Sequence, residues 1–218
     1  MSNIFELKNV SYKYSDGNKY VFQDLNMKFE LGKMYDIKGK SGSGKTTLLS
    51  LLSGLEKYHE GEILYKNKSL AEMNLDEYRS KDIGIIFQSY NLLPHLTASE
   101  NITLSMDISK IDYKNKEEKL KHLLKIVGLN EEEGNRRVLK LSGGEQQRIA
   151  IARSLSYDPS IILADEPTGN LDRETENDIL KIFKNLVKKE NKCVIIVTHS
   201  ENVCEQCDKV FELKTNKK

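Results

Sequence analysis

The sequence predicts an α/β fold with a mostly parallel core sheet, an antiparallel β lobe at the N-terminus and an inserted helical segment. Three observations point there. Short apolar runs recur along the chain, and each ends at polar, chemistry-bearing residues. The first thirty residues instead alternate in the manner of antiparallel strands, and residues 89–157 carry helix signals throughout.

In chain order, Ile4-Phe5-Glu6-Leu7 and Val21-Phe22-Gln23-Asp24-Leu25 read as a strand pair, with a turn at Ser15-Asp16-Gly17-Asn18. Met34 to Lys38, Ile83 to Gln88, Ile161 to Asp165 and Val194 to Thr198 read as strands of the parallel sheet. Asp36 and Lys38 share one face of their strand, where a buried parallel strand is usually apolar, so they are expected to neutralise each other. Thr97-Ala98-Ser99-Glu100 is a capping-box pattern. From Lys114 to Val127, Leu120, Leu123, Leu124 and Val127 fall at helical spacing, and Gly128 suits the helix end. A second amphipathic helix is expected from about Glu174 to Lys189, with Ile179, Ile182, Phe183 and Leu186 inward. Lys214 to Lys218 read as a frayed tail. The whole, residues 1–218, is read as one domain: a core of 1–88 and 158–218, and a helical subdomain of 89–157.

Composition narrows the partners. Lys plus Arg is 34 against 33 acids, which leaves no basic field to draw in nucleic acid. The longest apolar runs, such as Ile161 to Ala164, are far below the roughly 20 residues that span a bilayer. The N-terminus MSNIFELKNV has neither an apolar core nor a cleavage site, so a cytosolic location is expected. Of three cysteines, Cys204 and Cys207 form a CxxC preceded by His199. A metal or redox site is one reading; three candidate ligands fall short of a four-ligand zinc site, and packing on a short helix over 200–207 is the reading favoured.

The chemistry starts at GKSGSGKT: Gly39, Lys40, Ser41, Gly42, Ser43, Gly44, Lys45 and Thr46. Glycines in this spacing let a tight loop point successive backbone N–H groups at phosphates, and the helix that follows adds the positive end of its dipole. Lys45 is placed to reach β and γ phosphates and Thr46 to offer a hydroxyl to Mg²⁺. Ile161 to Ala164 then lead into Asp165 and Glu166. At the ligand edge of a sheet, Asp165 suits Mg²⁺ through water, and Glu166 suits a general base for an attacking water. The same acids, taken alone, would merely begin a loop.

About a hundred residues after the phosphate loop stands LSGGEQQR, Leu141 to Arg148. With Gln88 after its strand, Gly169-Asn170-Leu171-Asp172 after the acids and His199 after the last strand, the chain resembles the complete nucleotide-binding domain of ATP-binding cassette (ABC) ATPases along essentially its whole length. The resemblance implies a P-loop NTPase fold of the ABC cassette type, with ATP and Mg²⁺ as cofactors and one cassette per chain. It implies an ATP-dependent homodimer, head to tail, in which Ser142, Gly143, Gly144 and Glu145 of one copy face the γ-phosphate held by the other. It also implies that Gln88 touches Mg²⁺ and the attacking water, that His199 holds the γ-phosphate and orients Glu166, that Thr47 joins the cofactor contacts, and that Asp172 links the two sites. Tyr14 matches the aromatic residue that stacks on adenine, with Tyr12 as the rival. Strand-end, capping and core roles are the alternatives for Gln88, Asp172 and His199.

Three departures from the family pattern stand out: Lys40 where proline is frequent, Ser200 where an acid often follows the histidine, and an end soon after Leu213 without a return strand, which implies a minimal C-terminal edge. GEQQRIAIAR, PTGNLD and Asn91-Leu92-Leu93-Pro94-His95-Leu96-Thr97 resemble the subgroup of macrolide and peptide efflux, lipoprotein-release and bacitracin-resistance systems. That implies a transmembrane permease in a separate chain, a cytoplasmic position peripheral on the inner face of the membrane, and docking near Leu92, Leu93 and Leu96, with packing between the lobes as the open alternative for each leucine. Two other readings stay open, a soluble ABC ATPase acting on DNA or the ribosome, and the ATPase subunit of a small-molecule importer. Near-zero net charge and a single cassette speak against the first.

Overall fold

A computed structural model describes residues 3–14 and 19–213. The turn expected at 15–18 and the tail at 214–218 lie outside the described residues. Strand β1 (Asn3–Lys13) pairs antiparallel with β2 (Tyr20–Glu30) and with β4 (Glu60–Tyr65), which also carries the two-residue β5 (Lys68–Ser69). This four-stranded sheet runs β2-β1-β4-β5. The second sheet is wholly parallel and runs β6-β7-β8-β3-β9, from β3 (Met34–Lys38), β6 (Ile83–Ile86), β7 (Ile161–Asp165), β8 (Cys193–Val197) and β9 (Lys209–Glu212).

Side-chain alternation sorts the parallel sheet into two buried faces. Tyr35, Ile37, Ile161, Leu163, Ile195 and Val197 face one core, shared with the antiparallel sheet and with helix α1 (Lys45–Leu52). Met34, Ile86, Ile162, Ala164, Val194 and Ile196 face the other. That second core is closed by α3 (Ala98–Ser109), α4 (Lys116–Ile126), α6 (Gly143–Ser154) and α7 (Arg173–Glu190), and Val203 of α8 (Glu201–Glu205) also enters it. Two shorter helices, α2 (Leu75–Lys81) and α5 (Glu131–Gly134), complete the set.

Local chemistry sets these boundaries. The Thr97 hydroxyl accepts the Glu100 N–H at 3.2 Å while Glu100 accepts the Thr97 N–H at 2.7 Å, so the capping box opens α3 as expected. Gly128, at φ 73°, follows the C-cap of α4. Ile179, Ile182, Phe183 and Leu186 of α7 are buried.

Asp36 departs from expectation. It is fully buried and neither carboxylate oxygen has a hydrogen-bond partner, whereas Lys38, at the strand end, is exposed and makes no ion pair with it. Burial pushes the Asp36 carboxyl up to about 6, against the opposing pull of the nearby Cys204 thiol and the Lys38 charge. The lysine escapes to water because it is the last residue of the strand; the aspartate, two residues inside, has no such route.

Candidate functional site

The carboxyl ends of β3, β7 and β8 and the segment after β6 converge on one open cavity of about 670 Å³. Its walls include Tyr14, Ser41, Gly42, Gly44, Lys45, Thr46, Thr47, Gln88, Asp165, Glu166 and His199. The motifs from Ser41 to His199 therefore meet because parallel strands deliver them to one edge, and Tyr14 joins them from the end of β1. The β2 start adds Lys19, Tyr20 and Val21, which sequence reasoning missed. Nothing local marks them: they reach the cavity because the antiparallel sheet folds back over the phosphate loop.

Gly44 shows how close that approach is. It sits at φ 90° as the N-cap of α1, and a Cβ there would come within 2.3 Å of Val21 Cγ1. Lys45, nearly buried, donates to the Gly39 carbonyl at 2.9 Å and the Lys40 carbonyl at 3.3 Å, and lies 3.2 Å from His199 Nε2. An ammonium only donates, so Nε2 is the acceptor of that contact. Gly39, Lys40 and Ser43 belong to the loop but do not line the cavity; Ser43 is buried with its hydroxyl unpartnered.

Glu166 has φ 46°, the left-handed region that a residue with a side chain seldom occupies. Its N–H is held by the Val197 carbonyl at 2.8 Å. Its carboxylate accepts the His199 N–H at 3.4 Å and lies 3.5 Å from His199 Nε2. Burial raises the Asp165 carboxyl, offset in part by the Thr46 hydroxyl and the Lys45 charge. Thr46 hydroxyl, Gln88 amide oxygen and Asp165 carboxylate form a hard-oxygen donor set of the kind Mg²⁺ takes.

The two tyrosines separate clearly. Tyr12 is 4% exposed and packs on Phe22, while Tyr14 is 52% exposed, lines the cavity and shares a 2.6 Å hydrogen bond with Thr47. Their rings meet edge to face at 5.3 Å.

The signature residues lie outside this cavity. Ser142 caps α6, accepting the Glu145 N–H at 3.3 Å, and Glu145 returns the bond to the Ser142 N–H at 2.7 Å. Those bonds hold the Glu145 carboxyl below its ordinary range. A Cβ on Gly144 would meet Thr175 Cγ2 at 2.7 Å, so the glycine permits α6 to cross the start of α7. Asp172 caps α7, accepting from the Glu174 and Thr175 N–H groups at 3.0 and 2.9 Å. Leu93 is 48% exposed, whereas Leu92 packs against the helical core.

Residues 22–169 match the family model of the ABC transporter. The chain belongs to the ABC transporter family. It is 45% identical to the uncharacterized ABC transporter ATP-binding protein YclH of Bacillus subtilis, over 94% of this chain and 91% of that protein. It is 42% identical to the lipoprotein-releasing system ATP-binding protein LolD of Rickettsia bellii, over 98% and 97%. Among solved structures, the dimeric ABC transporter cassette MJ0796, a protein of Methanocaldococcus jannaschii, superposes with a TM-score of 0.87 at 37% identity, covering 98% and 97% of the two chains. A post-hydrolysis state of MJ0796 bound to ADP and Pi gives the same score at 36% identity. This chain is an ATP-binding ATPase subunit of that family, and no helix among its described residues is long and apolar enough to cross a membrane.

Proposed function

We propose that two copies of this chain close head to tail on two Mg-ATP and drive a separate membrane permease that exports a peptide, drug-like or lipid-linked substrate. The single observation that carries the reading is the division of the site. The phosphate-loop wall is assembled within one chain, while Ser142, the N-cap of the 12-residue helix α6, is exposed and lies outside the cavity, with Gly143 and Gly144 half-buried behind it. A helix start with free N–H groups and a positive dipole end favours an anion, and a second copy would bring one.

In this reading the backbone of Ser41 to Gly44 cradles the phosphates, and Lys45 leaves the Gly39 and Lys40 carbonyls to reach them. His199 Nε2, released by Lys45, then carries the ring proton and donates it to the γ-phosphate. Glu166, already within 3.5 Å of that ring, takes the proton of the attacking water. Thr46, Gln88 and Asp165 would hold Mg²⁺, which would supply charge neutralisation at the phosphates. Tyr14 stacks on adenine and Asp172 sits at the junction of the two copies. The core of 1–88 with 158–218 carries the phosphate-loop half of each site and the helical subdomain of 89–157 the signature half.

Lipoprotein-release relatives support the efflux subgroup, and the exposed Leu93 beside Gln88 supports permease docking on the inner face of the membrane. The test is affinity purification of a tagged Glu166→Gln chain with ATP from gently solubilised membranes of the native host. A co-purifying permease with a large external domain is expected. A soluble or nucleic-acid partner without any membrane protein would overturn the transport reading and leave the ATPase intact.

A further inference from the structure

The first turn of α7 is a fixed point of the fold. Asp172 caps it through the Glu174 and Thr175 N–H groups, and Thr175 lies against Gly144 at the start of α6. The next residue, Glu176, has its own N–H on the Asp172 carbonyl at 2.8 Å. Its side-chain Oε1 accepts the Ser200 hydroxyl at 2.5 Å and the Thr168 hydroxyl at 3.4 Å.

Those two hydroxyls come from different loops. Thr168 stands two residues after Glu166, and Ser200 directly follows His199. One carboxylate oxygen on a rigid helix therefore ties together the two loops that bring Glu166 and His199 into contact. Glu166 needs such support, since its left-handed backbone, φ 46°, persists only where the surroundings hold it. The Val197 carbonyl holds its N–H at 2.8 Å, and its carbonyl accepts the Gly169 N–H at 3.2 Å. On the histidine side, the Thr198 hydroxyl accepts the Ser200 N–H at 3.1 Å, and Ser200 Oγ accepts the Val203 N–H at 3.4 Å as the N-cap of α8. A serine hydroxyl has one proton and two lone pairs, so Ser200 caps α8 and donates to Glu176 at once.

A second cavity, of about 520 Å³, shares Gln88, Glu166 and His199 with the nucleotide cavity and adds Thr168, Glu176 and Ser200 to its lining. Glu176 thus borders the reacting groups without lining the nucleotide cavity itself.

We propose that Glu176 is a positioning residue for ATP hydrolysis, fixing Glu166 and His199 relative to each other through the hydroxyls of Thr168 and Ser200. Ser200 stands where the family pattern often has an acid after the histidine; in this chain a carboxylate reaches the same loop from α7. The proposal rests on the roles proposed above for Glu166 and His199.

The test is steady-state ATP hydrolysis by the full chain, with ATP binding by fluorescent-nucleotide titration and thermal unfolding measured on the same samples. Glu176→Ala should lower kcat by roughly ten- to a hundredfold while ATP binding and the unfolding midpoint stay close to wild type. Glu176→Gln keeps an accepting oxygen for both hydroxyls and should recover most of that loss. Ser200→Gly removes the hydroxyl while glycine still serves as an N-cap, and it should slow turnover in the same way. The double variant Glu176→Ala with Ser200→Gly should be no slower than the slower single variant. His199→Ala, the control for the histidine's own role, should also lower kcat.

A wild-type kcat for Glu176→Ala beside a slow His199→Ala would overturn the positioning role and leave that of the histidine standing. Losses that multiply in the double variant would overturn it too, as would a fall in ATP binding or unfolding midpoint that accounts for the fall in kcat. A wild-type kcat for His199→Ala would overturn the histidine's role and this proposal with it.

Discussion

The cavity edge and the signature edge are built from similar parts and left in different states. At the cavity edge, the chain's own groups engage one another: Lys45 is held by two loop carbonyls and His199, Glu166 by His199, and Tyr14 by Thr47. At the signature edge, Ser142 and Glu145 satisfy each other in a capping box, with Ser142 exposed. One edge is thus preorganised for a ligand within the chain; the other is stable without one and reads as half of a contact.

The largest expected effect falls on the cavity edge. Glu166→Gln removes the base and should lower ATP turnover by about 10² to 10⁴-fold while nucleotide binding persists, as phosphate release and fluorescent-nucleotide titration would show. Equal loss of binding and turnover would mean that Glu166 holds the loop together instead. Tyr12→Ala, next in size, should cost about 3 to 5 kcal/mol of folding stability in urea unfolding because it empties a buried site.

Asp36 probes the strand beneath the cavity. Its folded carboxyl, at about 6, lies above the ordinary 3.8, so the folded chain binds the proton more tightly. Relative stability from this group is therefore fully present below pH 3.8 and lost as pH rises through about 6. Asp36→Asn should stabilise the fold by roughly 2 to 3 kcal/mol at pH 8, and the gain should vanish near pH 4. A pH-independent difference would contradict the unpaired, buried carboxylate.

Much of this was legible in the residues. The phosphate loop, the acids at the end of β7 and His199 each follow a strand-like segment, and strands of a parallel sheet share one ligand edge, so their meeting followed from local pattern. The capping box at Thr97 and the inward face of α7 were equally local. Three things were not. Strands β4 and β9 are short and carry charged, exposed residues, which blurs their alternation. The sheet order that places β3 between β8 and β9 is a matter of long-range pairing. The Asp36 to Lys38 pairing failed because sharing a strand face says nothing of which residue reaches water.

Smaller effects sharpen the contrast between the edges. Tyr14→Ala should weaken ATP binding by about 1 to 3 kcal/mol with little change in stability, the reverse of Tyr12→Ala. Ser142→Ala should cost about 0.5 to 2 kcal/mol through the lost cap, read by thermal unfolding, and leave nucleotide binding by the single chain unchanged.

The division of the site between two copies is tested most directly by light scattering on Glu166→Gln, alone and combined with Ser142→Arg, with and without ATP. The account predicts twice the monomer mass for Glu166→Gln only when ATP is present, and monomer throughout for the double variant. A monomer in saturating ATP, or a dimer that ignores both ATP and Ser142→Arg, would contradict it.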